Sequence, residues 1–405
     1  MKRPDPAGRT VTALLVMLTA LGPLSTDLYL PSLPAMRQSF ATDVPTIQLT
    51  LSVYMIAFAV GQLIWGPLSD RYGRRGPLLV AGALYLGASI LCMVAPTVEF
   101  LIAARLVQGV GGCAGQVVAR AVVRDVHGRA GARRVLAAIA AAMGLAPAIA
   151  PAIGGVLTDA FGWSACFWVL SLVGAVALLG VGLLLRETNA ACGTGTIGPG
   201  RIATGYLTLL RQRQFTGFAL AATTSYSGLF AWISGSSHVF IGLLDVSPSL
   251  YGLCFSSVVV GFILGARLAG RLPMEPGRAV LLGAVINAVG GGVMLAVLLA
   301  GKAGVATILA PMILYMVGMG IVLPNAQAGA IGPFPRHAGA ASSLIGFVQY
   351  GFAALVGLGV GHGFEGGASS MAVVMAGTIA ACGAGAVLAY LAIIRGAPEP
   401  VEAAV

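Results

Sequence analysis

Apolar runs of about 20 residues, parted by short polar breaks, follow one another along almost the whole chain. That length is what an α-helix needs to cross the hydrocarbon core of a bilayer. Twelve runs qualify: 10–32, 45–68, 76–96, 99–122, 134–157, 163–185, 215–237, 249–271, 278–300, 304–326, 338–361 and 369–394. The breaks hold turn formers and charges, as in RYGRRGP, APTVE and FGW. One break is long: RETNAACGTGTIGPGRIATGYLTLLRQRQ, between the sixth and seventh runs. The pattern predicts an all-α membrane protein of twelve transmembrane helices in two pseudo-symmetric halves. These are a six-helix half over 1–186, a linker over 187–214 and a second six-helix half over 215–405. The first run passes into PSLPAMRQSF without a small-residue cleavage pattern, so it is expected to stay as a helix.

The halves also match weakly in sequence. GQLIWGPLSDRYGRR lies over GFILGARLAGRLPME at an offset of 200, with Gly61 on Gly261 and Arg71 on Arg271. Internal repeats of this kind are common among secondary transporters. Charge then fixes an expected orientation. Eighteen Lys and Arg residues fall in the even-numbered loops, the linker and the termini, against only Arg37 and Lys302 in the odd-numbered loops. By the positive-inside rule both termini are expected in the cytoplasm.

Composition agrees. The chain is 58% hydrophobic and 9% charged, far below the roughly 25% charged residues of a soluble domain. Its net charge of +10 sits in short loops and is topological, so no nucleic-acid partner is expected. The six cysteines are scattered, without disulfide or metal spacing. No catalytic triad, nucleotide loop or metal cluster is evident, so neither an enzyme nor an ATP-driven pump is expected, and no cofactor or metal.

Against this background Asp27 stands out. It lies within the first apolar run, where a charge costs roughly 2.5–3.5 kcal/mol on insertion scales. At 1.5 Å per residue it sits about 25 Å in, toward the outer half. Arg105, near the outer start of the fourth run, reaches a similar level, whereas Arg120 lies about 22 Å further along. Depth therefore pairs Asp27 with Arg105, and Arg120 is expected to snorkel to the interface. Intramembrane ionisable groups mark proton or substrate pathways. Candidates to line a cavity with them are Tyr54, Gln108, Gly112, Gln116, Tyr226, Phe230, Asn325 and Gln349. His238 and His362 are expected at the outer rim, and His127 and His337 in solvated loops.

Two further stretches carry local chemistry. GPLSDRYGRR closes the second run, with glycines suited to close helix contact. Its Asp70 sits at a helix C-terminus, where the dipole disfavours an anion. A docking partner is expected, either Arg124 or the start of the eleventh run. GLAPAIAPAIGG, in the fifth run, holds prolines and a double glycine that bend or loosen a helix.

Together STDLYLPSLPAM, IQLTLSVYMIAFAVGQLIWGPLSDRYGRR, ARAVVRD and the fifth-run motif resemble the major facilitator superfamily. More narrowly they are similar to its drug/proton antiporters of the bicyclomycin, chloramphenicol and florfenicol resistance type. The resemblance implies the major facilitator fold, with proton coupling and drug binding at Asp27 and Arg105. It implies a conformational motif at Gly66, Asp70, Arg71, Gly73, Arg74, Arg124, Pro151, Gly154 and Gly155. The usual Gly-Pro of the fifth-run motif reads Ala150-Pro151 here. The expected function is export of small antibiotics in exchange for protons across a bacterial inner membrane, by a monomer whose partners are drug, protons and lipid. Burial favours the neutral acid at Asp27 and a nearby guanidinium favours the carboxylate, so balance near neutrality would let drug and proton compete. One proton driven by about 150 mV supplies roughly 3.5 kcal/mol, a gradient of a few hundredfold. The alternatives are a metabolite exporter on the same frame, for sugars, amino acids or purines, and a non-transporting sensor or scaffold.

Overall fold

The computed structural model describes residues 8–189, 199–334 and 338–396. Lys2, Arg3, Cys192, Arg336 and His337, and the side chains of His127, Arg129, Arg133, Arg134 and Arg201, lie outside the described residues.

Local chemistry sets several helix starts. Asp43 caps α3 (Val44–Tyr72), its carboxylate accepting the Thr46 N–H at 2.7 Å with a proline in the first turn. Thr97 caps α5 (Val98–Phe161) through Phe100 N–H, and Ser247 caps α9 (Pro248–Ala269) through Leu250 N–H. The remaining helices are α1 (Arg9–Asp27), α2 (Leu33–Ser39), α4 (Arg75–Met93), α6 (Ser164–Leu184), α7 (Pro199–Leu210), α8 (Arg213–Gly242), α10 (Pro276–Leu299), α11 (Val305–Ile331), α12 (Ala338–His362) and α13 (Ala368–Ala389). A single π-turn, Tyr390–Ile394, ends the series. No strand occurs among the described residues.

The chain forms two compact units, Met1–Ile197 and Gly198–Val405. Both use the same packing order. In the first, α1 packs on α5 and α6, α3 and α4 pack on α5, and α4 on α6. In the second, α8 packs on α11, α12 and α13, α9 and α10 on α11, and α10 on α13. Large apolar side chains such as Leu179, Leu183 and Leu388 remain more than 60% exposed. In water such a band would be an aggregation surface; in a bilayer it meets its own kind.

Three sequence expectations change. The run 10–32 is not one helix: α1 stops at Asp27, a 3-10 turn spans Leu30–Ser32, and α2 continues the column. The fourth and fifth runs are helical throughout as α5, yet Gln116 Nε2 lies 3.9 Å from Met143 Sδ. In a straight helix those residues would stand about 40 Å apart, so the chain reverses between them without a non-helical loop. The expected linker contains α7, whose Leu209 is buried while Leu207 and Leu210 are exposed. Among the described residues eleven stretches are long and apolar enough to cross a membrane, consistent with the expected twelve. The seventh run is missing from that set because α8 is rich in buried Ser and Thr, although at 30 residues it is long enough.

Candidate functional site

In the first unit, Arg105 projects from α5 and is completely buried. Its Nε donates to Thr50 O at 3.2 Å, and its Nη1 donates to Ser25 O at 3.0 Å and to Gln108 Oε1. The guanidinium lies over the rings of Tyr54, 4.2 Å from the centroid, and Tyr29, at 4.5 Å, both attractive for a cation. Gln108 Nε2 donates to Ser89 Oγ, Ser89 Oγ to Tyr85 O, and Tyr85 OH shares a 2.7 Å hydrogen bond with Ser25 Oγ. A closed polar ring thus ties α1, α4 and α5 together. Gly112 faces it: a Cβ there would stand 2.9 Å from the Tyr54 hydroxyl.

Asp27 is not part of that ring. It is 3% exposed, and its Oδ1 accepts from the Thr26 hydroxyl at 2.9 Å. The expected Asp27–Arg105 ion pair is absent: among the described residues no cation lies within salt-bridge distance of Asp27. The depth argument placed both groups at one level, since Arg105 grips the carbonyl of Ser25, two residues before Asp27. It could not give azimuth, and positions two apart on a helix point about 200° apart. Asp27 is also the last residue of α1, where the helix dipole adds to the cost of an anion. The carboxyl stands where the neutral acid is the easier form to bury.

Gln116 lies elsewhere on α5, accepting from Gln62 Nε2 at 3.0 Å. At the far end of α3, the partner of Asp70 is Arg74. Arg74 Nη1 donates to Asp70 Oδ1 and to Ser69 Oγ, while its Nε donates to Asp125 Oδ2 at 2.8 Å. Arg124 is exposed and does not reach Asp70, so that alternative of the expectation is not met. Arg71 lies over its neighbour Tyr72. Gly73 turns the chain at φ +84°, and the Glu187 carboxylate fills the space beside it, accepting the N–H groups of Arg74 and Arg75 at 2.7 and 3.1 Å. Burial works against the Glu187 charge, but the N–H donors of Arg74, Asn189, Arg75 and Thr188 outweigh it and hold the carboxyl below its ordinary range. Gly154 is a close-approach residue, since a Cβ would fall 1.7 Å from Leu28 O. Pro151 and Gly155 are buried beside it in α5. Gly66 is not such a residue: a Cβ there would meet only Val117, at an ordinary 3.8 Å.

In the second unit, Tyr226 and Tyr350 pack edge to face at 5.5 Å, and Asn325 Nδ2 returns to its own helix at Ile321 O. Phe230 and Gln349 are buried. His238 lies four residues from the end of α8, buried with its ring 6.2 Å from that of Phe364 in the 3-10 turn after α12, while His362 is exposed. The sequence reading passed over a second polar joint. Tyr315 OH donates to Ser225 O at 2.8 Å, and Asn287 Nδ2 donates to Ser225 Oγ at 2.6 Å. Ser225 stands 200 positions after Ser25, the offset of the internal repeat, and that signal could have found it. Tyr29, Thr50, Tyr85, Ser89 and Glu187 carried no comparable signal.

Membrane-length helices in two units of one packing order, with ionisable groups sealed inside, define a multi-pass membrane transporter. The Major Facilitator Superfamily family model matches residues 15–358, and the chain belongs to that superfamily. It is 32% identical to the "Uncharacterized MFS-type transporter YdgK" of Bacillus subtilis, over 85% of this chain and 87% of that protein. It is 31% identical to the "Bicyclomycin resistance protein homolog" of Haemophilus influenzae, over 85% and 86%. Among solved structures, an inward-facing bacterial homolog of the human lysosomal transporter Spinster covers 99% of this chain and 100% of its own, with a TM-score of 0.75 at 14% identity. That similarity concerns the fold alone.

Proposed function

We propose that the chain exports small antibiotics such as amphenicols or bicyclomycin in exchange for protons, by alternating access across the bacterial inner membrane, with both termini cytoplasmic. The observation that carries the reading is Asp27: a carboxyl 3% exposed, without a cation within reach, at a helix C-terminus. Similarity to a bicyclomycin resistance homolog supports the drug class.

Asp27 is the proton carrier in this reading. Loss of its proton leaves an anion in a site that offers only the Thr26 hydroxyl, so the charged state persists only while the site is open to water or occupied by a compensating drug group. Drug and proton therefore exclude one another. Arg105 is held by neutral acceptors and two aromatic faces and does not trade partners with Asp27 in this reading.

Inside-out vesicles energised by respiration test this. Wild type accumulates drug and loses it on addition of a protonophore. Asp27→Asn is expected to bind drug yet accumulate none. Protonophore-sensitive accumulation by Asp27→Asn would assign the proton to another residue.

A further inference from the structure

Beyond transport, the end of the second unit where α8 and α10 begin and α13 ends carries a surface of mixed character. Arg213 opens α8 and donates through Nη2 to Ala392 O of the π-turn at 3.5 Å. Gly277, beside Arg278 at the start of α10, packs so tightly on the same turn that a Cβ would stand 3.3 Å from Ile394 and 3.6 Å from Tyr390. Arg395 follows the turn directly. Arg213, Arg278 and Arg395, on three elements, thus flank one five-residue π-turn, a rare backbone form that recurs at functional sites. All three are exposed, and among the described residues none forms an ion pair. The nearby acid is Glu275, exposed at the cap of α10.

The surface changes sign along α13. Leu391, within the π-turn, is 49% exposed and Leu388, one turn earlier, is 62% exposed, both in the band that faces lipid. An apolar strip that runs into guanidinium groups with no ion pair among the described residues matches a molecule with acyl chains and an anionic head. We propose that this surface binds an anionic phospholipid. Its phosphodiester sits among Arg213, Arg278 and Arg395, and its chains lie along Leu388 and Leu391. Guanidinium groups bind phosphate oxygens in paired hydrogen bonds, which a zwitterionic headgroup offsets with its own cation. The occupant therefore has to be an anionic phospholipid such as phosphatidylglycerol, because a free phosphate would leave the leucines unused. The site is distinct from the Asp27 region and does not depend on the transported substrate.

The test is native mass spectrometry of the purified full chain in detergent, titrated with phosphatidylglycerol or with phosphatidylcholine of the same chains. Wild type is expected to retain phosphatidylglycerol preferentially. Each arginine contributes about fivefold near an anionic surface, so Arg213→Gln/Arg278→Gln/Arg395→Gln should lose about a hundredfold and Arg395→Gln alone about fivefold. Arg395 caps the π-turn through its backbone N–H alone, and among the described residues its side chain makes no hydrogen bond, so the single variant keeps the test open if the triple variant does not fold. A control with equal charge loss elsewhere, Arg9→Gln/Arg186→Gln/Arg271→Gln, should stay within about twofold of wild type. Equal retention of the two lipids by wild type, an unchanged Arg395→Gln, or an equal loss in the control would overturn the proposal.

Discussion

In the first unit Ser25 receives Arg105 on its carbonyl and Tyr85 on its hydroxyl; in the second, Ser225 receives Tyr315 on its carbonyl and Asn287 on its hydroxyl. The first span of each unit is thus joined to the third and fourth spans of its unit by the same pair of hydrogen bonds. The packing problem is shared, and neutral groups suffice to solve it, as the second unit demonstrates. The first unit therefore carries a cation that its architecture does not require. Two residues beyond Ser25 on α1 stands a carboxyl that the second unit lacks at the matching position, since Ser227 lies 200 residues after Asp27. A buried charge without a structural need is best read as a functional one. The comparison sets a charged joint in the first unit against a neutral counterpart in the second.

The largest effect that could break this comparison is on Arg105. Arg105→Lys keeps the charge but cannot reach Thr50 O, Ser25 O and Gln108 together, because a lysine lacks the planar fork. Losing two such bonds, at about 1 kcal/mol each, should lower transport at least tenfold. Tyr315→Phe removes one neutral bond and should leave transport within about twofold. Initial rates of drug uptake in inside-out vesicles measure both. Similar losses in the two variants would mean the joints are equivalent and the charge is incidental.

A middle-sized effect concerns the chain around Asp27. Gly154→Ala forces a methyl against Leu28 O, so α5 and the end of α1 must part, at about 1–3 kcal/mol. A melting temperature lower by about 2–10 °C in detergent is expected. An unchanged value would show that α1 can shift freely and that the position of Asp27 is loosely set.

The smallest effect lies at the Asp70 end of the first unit. Glu187 is held below its ordinary value of 4.5, so its contribution is present above that value and fades as pH falls through the lower folded-state value. Glu187→Gln should melt slightly below wild type at pH 7, and the gap should close on acidification toward the folded-state value. A gap that persists at low pH would mean that the amide fails for shape rather than charge.

Much of the fold was legible because lipid imposes one rule: a span is a long apolar helix. Where that rule weakens, reading stopped. The interruption of α1 after Asp27 and the helical reversal inside α5 follow from tertiary packing that hydropathy does not record. Short α7 mixes Gly, Thr and Arg with its leucines and so read as linker. Asp27 was singled out because a carboxylate in an apolar run is conspicuous. Its supposed partner was misjudged because sequence spacing gives height along a helix but says little about which neighbouring face a side chain meets. Arg74 was within reach of a sequence argument, four residues from Asp70, whereas Glu187 arrives from 113 positions beyond Arg74 and only the fold brings it there.

The most direct measurement is of the proton itself. Infrared difference spectra of the purified protein, recorded with and without a transported drug at neutral pH, report the carbonyl stretch of a protonated carboxyl. The account predicts that drug addition removes one such band, that Asp27→Asn lacks the change, and that Asn287→Ala in the neutral joint retains it. A drug-induced band loss that survives in Asp27→Asn, or its absence from wild type, would contradict the assignment of proton exchange to Asp27.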